Sequence, residues 1–145
     1  MTREEAKEYF RRIDDARDQL KKCEISIGRL RFELEHPLSG VDYSREKVSR
    51  TPEGSALENK VIKYMKLLQD HEQYYLQKKT ELEGMLFEAE CKIRELKAGM
   101  CRDYLFRRFI EGVKPTEYCK EVSYNDSKSV YQLQTRAFEL FAAQN

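Results

Sequence analysis

Glycine and proline are scarce, six and three in 145 residues, and so few chain breakers suit long solvated helices better than a compact ball. Apolar residues are scarce as well. They make up 40% of the chain beside 37% charged residues, against a usual ~45–50% and ~25%, which argues against a large enzyme core. An excess of either charge is missing: 27 Lys and Arg face 26 Asp and Glu, for a net charge of +1. That balance excludes both a histone-like basic wrap and an acidic mimic, so any nucleic-acid contact has to be local. No apolar run approaches the ~18 residues that span a bilayer. Met1 is followed by Thr-Arg-Glu-Glu instead of a signal h-region, so a cytoplasmic location with no membrane partner is expected. Cys23, Cys91, Cys101 and Cys119 form no C-x-x-C pair and only His36 and His71 accompany them, a set without zinc-site spacing that reads as ordinary reduced thiols. There is no Gly-rich phosphate loop and no arrangement of Ser, His and Asp beyond scatter. The expectation is therefore a non-enzyme with no catalytic residue, metal or cofactor.

What the chain does have is periodicity. Ala6, Tyr9, Ile13, Ala16, Leu20, Cys23, Ile27, Leu30 and Leu34 alternate three and four apart, the spacing of a coiled-coil seam. Thr2 with Glu5 makes a capping box at its start, and Pro37 disfavours helix at His36, so a first helix is expected from Thr2 to Glu35. From His36 to Gly54 the periodicity breaks among Pro37, Ser39-Gly40, Asp42, Ser44 and Thr51-Pro52-Glu53-Gly54, a connector. Ser55 with Glu58 then forms a second capping box, with Thr51-Pro52 as a competing start. The second seam runs Leu57, Val61, Tyr64, Leu68, His71, Tyr75, Lys78, Leu82, then Leu86, Ala89, Ile93, Leu96 and Met100. One extra residue between Leu82 and Leu86 is a stutter that locally unwinds a left-handed supercoil. His71 and Lys78 on that seam read as paired or snorkelling polar groups that set register. At ~1.5 Å per residue the first helix is roughly 50 Å long and the second, Ser55 to Ala98, roughly 65 Å. An antiparallel hairpin follows, its longer arm leaving Leu86 to Met100 to be covered by the C-terminal region or by a second chain in a homodimer.

After Gly99 the character changes. Tyr104, Leu105, Phe106, Phe109, Ile110, Val113, Tyr118, Val122, Tyr124, Val130, Leu133, Ala137, Phe138, Leu140 and Phe141 suit a small globular core of three short helices. The first, Cys101 to Glu111, is ended by Gly112. The second, Pro115 to Val122, opens on a proline, and the third, Ser127 to Ala142, is capped by Asn125 or Asp126. The whole is expected to be all-α: residues 1–99 an antiparallel coiled-coil hairpin with its connector at 36–54, and residues 100–145 a helix-turn-helix module. With Val130, Leu133, Ala137 and Leu140 as the inner face of the last helix, Lys128, Tyr131, Gln132, Thr135 and Arg136 point outward. Lysine and arginine can reach phosphate or guanine, glutamine adenine, and threonine a thymine methyl. From Cys101 onward seven basic residues meet six acidic ones, little charge for a stand-alone binder of DNA, so help from dimerisation or a partner protein is expected. In the connector, Arg45, Lys47 and Arg50 read either as a solvated loop or as a secondary contact for phosphate or acidic protein.

The string Tyr104-Leu105-Phe106-Arg107-Arg108-Phe109-Ile110-Glu111-Gly112, then Thr116 to Val122, Val130-Tyr131-Gln132-Leu133 and Arg136-Ala137-Phe138, resembles the region 4 helix-turn-helix of sigma-70-type factors. In particular it is similar to small prophage-encoded proteins of Gram-positive bacteria related to the RinA and ArpU late-gene activators. Gly40-Val41-Asp42-Tyr43-Ser44 through Val48, Thr51 and Pro52 resembles the connector of that group. The two motifs cover about half the chain. The resemblance implies a phage or prophage transcription regulator that engages double-stranded promoter DNA with host RNA polymerase, with Lys128, Tyr131, Gln132, Thr135 and Arg136 facing DNA. The chain departs from the group at Cys119, at Ser123 where glycine is usual, and in a turn one residue longer, which would re-aim the last helix. Two other classes share these features. A coiled-coil interaction module could use a degenerate helix-turn-helix to dock on a host or phage protein, presenting Tyr74, Tyr75, Met85 and Phe87; a small terminase-like packaging protein would need to form a ring.

Overall fold

The computed structural model describes residues 1–36, 53–122 and 127–145, and within them every regular element is a helix. The elements are α1 (Arg3–Glu35), α2 (Glu53–Arg94), α3 (Met100–Leu105) continued by a π turn (Phe106–Ile110), α4 (Pro115–Glu121) and α5 (Ser127–Gln144). The all-α expectation is met. Two compact units are formed, one by Met1–Asp18 with Thr80–Asn145 and the other by Gln19–Lys79. The expected division at residue 99 does not coincide with them, because the short C-terminal helices share a core with the first turns of α1.

The start of α1 follows from its capping box. The Thr2 amide donates to Glu5 Oε2 at 2.6 Å and the Glu5 amide donates to Thr2 Oγ1 at 3.2 Å, so two otherwise orphaned donors are satisfied. The backbone bond to Thr2, and then the side-chain bond, hold the Glu5 carboxyl below its ordinary pKa. At the other end the His36 ring stacks on Phe32, with centroids 4.3 Å apart. α2 opens at Glu53, two residues before the expected Ser55. That places the start beside the competing Thr51-Pro52, which lies outside the described residues, as do Tyr124 of the expected core and the Asn125 or Asp126 cap of α5. α2 also ends early, at Arg94 instead of Ala98. The last turn tightens, with the Leu96 amide on the Ile93 carbonyl three residues back, and Gln144 Nε2 caps the Glu95 carbonyl at 2.7 Å. Met100, expected on the second seam, is instead exposed at the opening of α3.

In the unit formed by Gln19–Lys79, α1 and α2 run antiparallel. Arg31 pairs with Glu72 at 3.1 Å and Tyr75 donates to Glu24 at 3.0 Å, so positions climb along one helix as they fall along the other. Its seam is that of the sequence, with Cys23 and Ile27 buried and its other apolar members half-buried. Lys78 is half-buried with its ammonium 5.5 Å from the Tyr74 ring centre, the snorkelling arrangement expected of it.

The other unit has a packed aromatic core. Phe10, absent from the seam as read, is fully buried and meets Phe109 at 4.5 Å, Phe141 at 4.7 Å and Phe138 at 5.7 Å between ring centroids. Ala89, Ile93 and Leu96 of the expected overhang are buried in this same unit, so a second chain is not needed to cover them. Such a ring cluster adds geometry-dependent attraction to its area burial.

The helix expected from Cys101 to Glu111 is not uniform. After Leu105 it widens, and the Glu111 amide bonds the Phe106 carbonyl five residues back, which inserts one residue per turn. Phe109 is thereby buried against Phe10, while the Ile110 carbonyl accepts a 2.7 Å bond from Arg17 Nη2. Gly112 ends the turn with φ of 75°, a left-handed value at little cost only for glycine. The Val113 amide then closes on the Arg107 carbonyl, as the sequence signal for a helix stop anticipated.

Candidate nucleic-acid interface

α5 is amphipathic, and its buried side fixes its exposed one. Val130, Leu133, Ala137, Phe138, Phe141 and Ala142 are buried. Leu140, expected among them, is only half-buried, because the inner face is turned toward Phe138 and Phe141 by the Phe10 ring that packs on both. Lys128, Tyr131, Gln132, Thr135 and Arg136 are all exposed, Tyr131 at 59%. The structure therefore brings the five expected residues together on one helix face. Thr135 Oγ1 donates to the Tyr131 carbonyl one turn earlier, which leaves its methyl and the Tyr131 ring at the surface. Arg45, Lys47 and Arg50 lie outside the described residues.

Beneath this face the helices are locked by polar contacts. Tyr104, fully buried, donates to Gln134 Oε1 at 2.5 Å, and Tyr118 donates to Asp103 at 3.1 Å. Burial, moderated by the nearby Arg108, pushes the Tyr104 phenol up to about 12. Arg107 holds Glu121 through one nitrogen at 2.5 and 2.6 Å and Glu111 through the other, which ties the π turn to α4. Arg108 forks onto Asp14 at 3.1 and 2.9 Å and lies over the Phe109 ring, tying the same turn to α1.

These pairs sort the positive charge of the region. Arg107 and Arg108 are spent on structure, whereas Lys114, Lys120, Lys128 and Arg136 have no ion pair among the described residues. With Arg102 of α3, which also has no ion pair among the described residues, the free cations sit on α3, α4 and α5 and just before α4. That distribution suits phosphate contacts on either side of a helix lying in a groove.

Sequence reasoning missed Phe10, Asp14 and Arg17 of α1 as partners of the C-terminal helices. A signal was present for the first: Ala6, Tyr9, Phe10 and Ile13 form an i, i+3, i+4, i+7 set, wider than a two-helix seam requires. Among the described residues no cluster of His, Cys, Asp and Glu could hold a metal ion, and no helix is long and apolar enough to cross a membrane. No family model matches the chain, and no curated protein or solved structure matches it either.

Proposed function

We propose that this chain is a transcription regulator of phage or prophage type. It binds double-stranded promoter DNA by laying α5 in the major groove, and it works with host RNA polymerase. The observation that carries this reading is the exposure of Lys128, Tyr131, Gln132, Thr135 and Arg136 on one face of α5, opposite a buried apolar face. Those side chains supply the donors, acceptors and methyl group by which base edges and phosphates are read. The pairing of a seven-residue α4 with the longer α5 supports the same reading, because the first helix of such a unit steadies the second across the backbone.

Fluorescence anisotropy against promoter fragments and random duplex, at two salt concentrations, tests it. Selective binding that weakens steeply with salt is expected, and the double variant Lys128→Ala with Arg136→Ala should lose it. Wild-type binding by that variant would show that the face is misassigned.

A second reading, a protein-interaction module, is favoured by the apolar surface of the unit Gln19–Lys79. There Ile25, Phe32, Ile62, Met65 and Leu76 are each more than half exposed. Of the residues expected to present such a surface, Tyr74 and Phe87 are exposed while Tyr75 and Met85 are half-buried. Capture of a partner from host lysate that survives nuclease treatment would support this reading over DNA binding.

A further inference from the structure

The exposed face of α5 does not stop at its own residues. Phe10 stacks on Phe138 and meets Phe141 edge-on, so the first turns of α1 lie alongside α5. At the edge of that packing Arg3, Glu4 and Lys7 of α1 line one surface groove with Gln134, Thr135 and Phe138 of α5. Thr135 belongs to both the groove and the proposed DNA face, so the two surfaces are continuous. Lys7 is exposed and has no ion pair among the described residues.

Arg3 has a different task. At 100° per residue Glu139 falls on the outward side of α5, in line with Lys128, Gln132 and Thr135, and it is the sole carboxylate there. Arg3 Nη1 stands 3.6 Å from Glu139 Oε1 with both side chains about half exposed. A pair this solvated adds little to stability. It does set a positive charge between Glu139 on the face and Glu4 in the adjoining groove, whose Oε1 is 3.3 Å from Arg3 Nη2, groups that would otherwise repel phosphate.

Packed helices have axes ~8–10 Å apart, and the major groove is ~12 Å wide. Phe10 packs on the inner face of α5, yet Lys7 lines the surface groove beside Thr135 and Arg3 reaches Glu139, so the start of α1 flanks the outward face on the side where a bordering phosphate would lie. We infer that the first two turns of α1 are the second wall of the DNA site, with Lys7 holding a phosphate of the bordering strand and Arg3 masking Glu139. The inference rests on the DNA-binding reading of α5 and extends it to a helix on which no DNA contact was foreseen.

The test compares salt titrations of full-length wild type, Lys7→Ala, Lys7→Arg, Arg3→Ala and Arg3→Ala with Glu139→Gln, on the promoter fragment wild type binds best and on random duplex. Circular dichroism confirms equal helix content. Lys7→Ala is expected to weaken binding several-fold on both duplexes, leaving their ratio unchanged, and to make the slope of log K against log salt shallower by about 0.9, the value of one phosphate contact. Lys7→Arg should restore both. Arg3→Ala should weaken binding, and Glu139→Gln should recover it in that background. A Lys7→Ala protein with wild-type affinity and slope overturns the inference while leaving the α5 reading standing. Failure of wild type to bind either duplex at low salt overturns both.

Discussion

The two compact units use the same kind of helix to opposite ends. Of the nineteen buried apolar residues among those described, seventeen lie in the unit of Met1–Asp18 and Thr80–Asn145, and Cys23 and Ile27 lie in Gln19–Lys79. Both units are built from α1 and α2, so the difference does not come from seam spacing. It comes from what covers the seam: in the first unit α3, α4 and α5 add rings to the core, whereas two helices alone leave most seam residues half wet. A coiled-coil repeat thus specifies a pairing, and further layers decide whether that pairing becomes a core.

The contrast can be broken most forcefully at Phe10. Phe10→Ala removes the ring shared by Phe109, Phe138 and Phe141 and is expected to cost about 3–5 kcal/mol, read as a lower urea midpoint. A cost below 1 kcal/mol would mean that the aromatic cluster does not hold the unit together. Arg108→Ala comes next, at about 2 kcal/mol. That is less than the ~3–5 expected for a fully buried pair, because Arg108 and Asp14 keep 22% and 31% of their side-chain exposure; Arg108→Lys should recover part of it.

Alkaline titration sharpens the comparison further. Burial raises the Tyr9 and Tyr104 phenols from 10 to about 12, and both belong to the aromatic unit. Between those values the unfolded chain sheds its phenolic protons first, so this contribution is intact below pH 10 and is lost as pH climbs toward 12. For Tyr104 the loss is on the order of 1 kcal/mol per pH unit, and Tyr104→Phe should flatten its share of the slope in urea melts at pH 9.5 and 11.5. The smallest effect belongs to the other unit. Leu76→Ala, at a side chain 61% exposed, should change stability by less than about 0.5 kcal/mol. Hydrogen exchange should likewise open Gln19–Glu35 at lower free energy than the α5 core from Val130 to Phe141.

Features governed by near neighbours in sequence were legible in advance. Thr2 and Glu5, Gly112, Pro115 and the outward set from Lys128 to Arg136 each depend on residues within a turn or two, and each stands where the pattern put it. The misplaced features depend on distant partners. The Glu95 carbonyl just past α2 is capped by Gln144, the turn after Leu105 widens where Phe109 meets Phe10 and Arg17 meets the Ile110 carbonyl, and the inner face of α5 is turned from Leu140 toward Phe138 and Phe141 by Phe10. No local propensity encodes such contacts. The outward face of α5 was readable because solvent exposure on a helix is the complement of a local apolar period, while Lys7 and Arg3 come beside it only through the fold.

The packing of Phe10 on Phe138 also sets an order of events. Closing a loop costs more entropy as it lengthens, and this contact bridges most of the chain, whereas the pairing of Arg31 with Glu72 closes a much shorter one. A nascent chain arrested on the ribosome before Val130 should hold helices yet no ordered aromatic cluster. The buried face of α5 would then be set in one step, late in synthesis, when Phe10 finds Phe138 and Phe141.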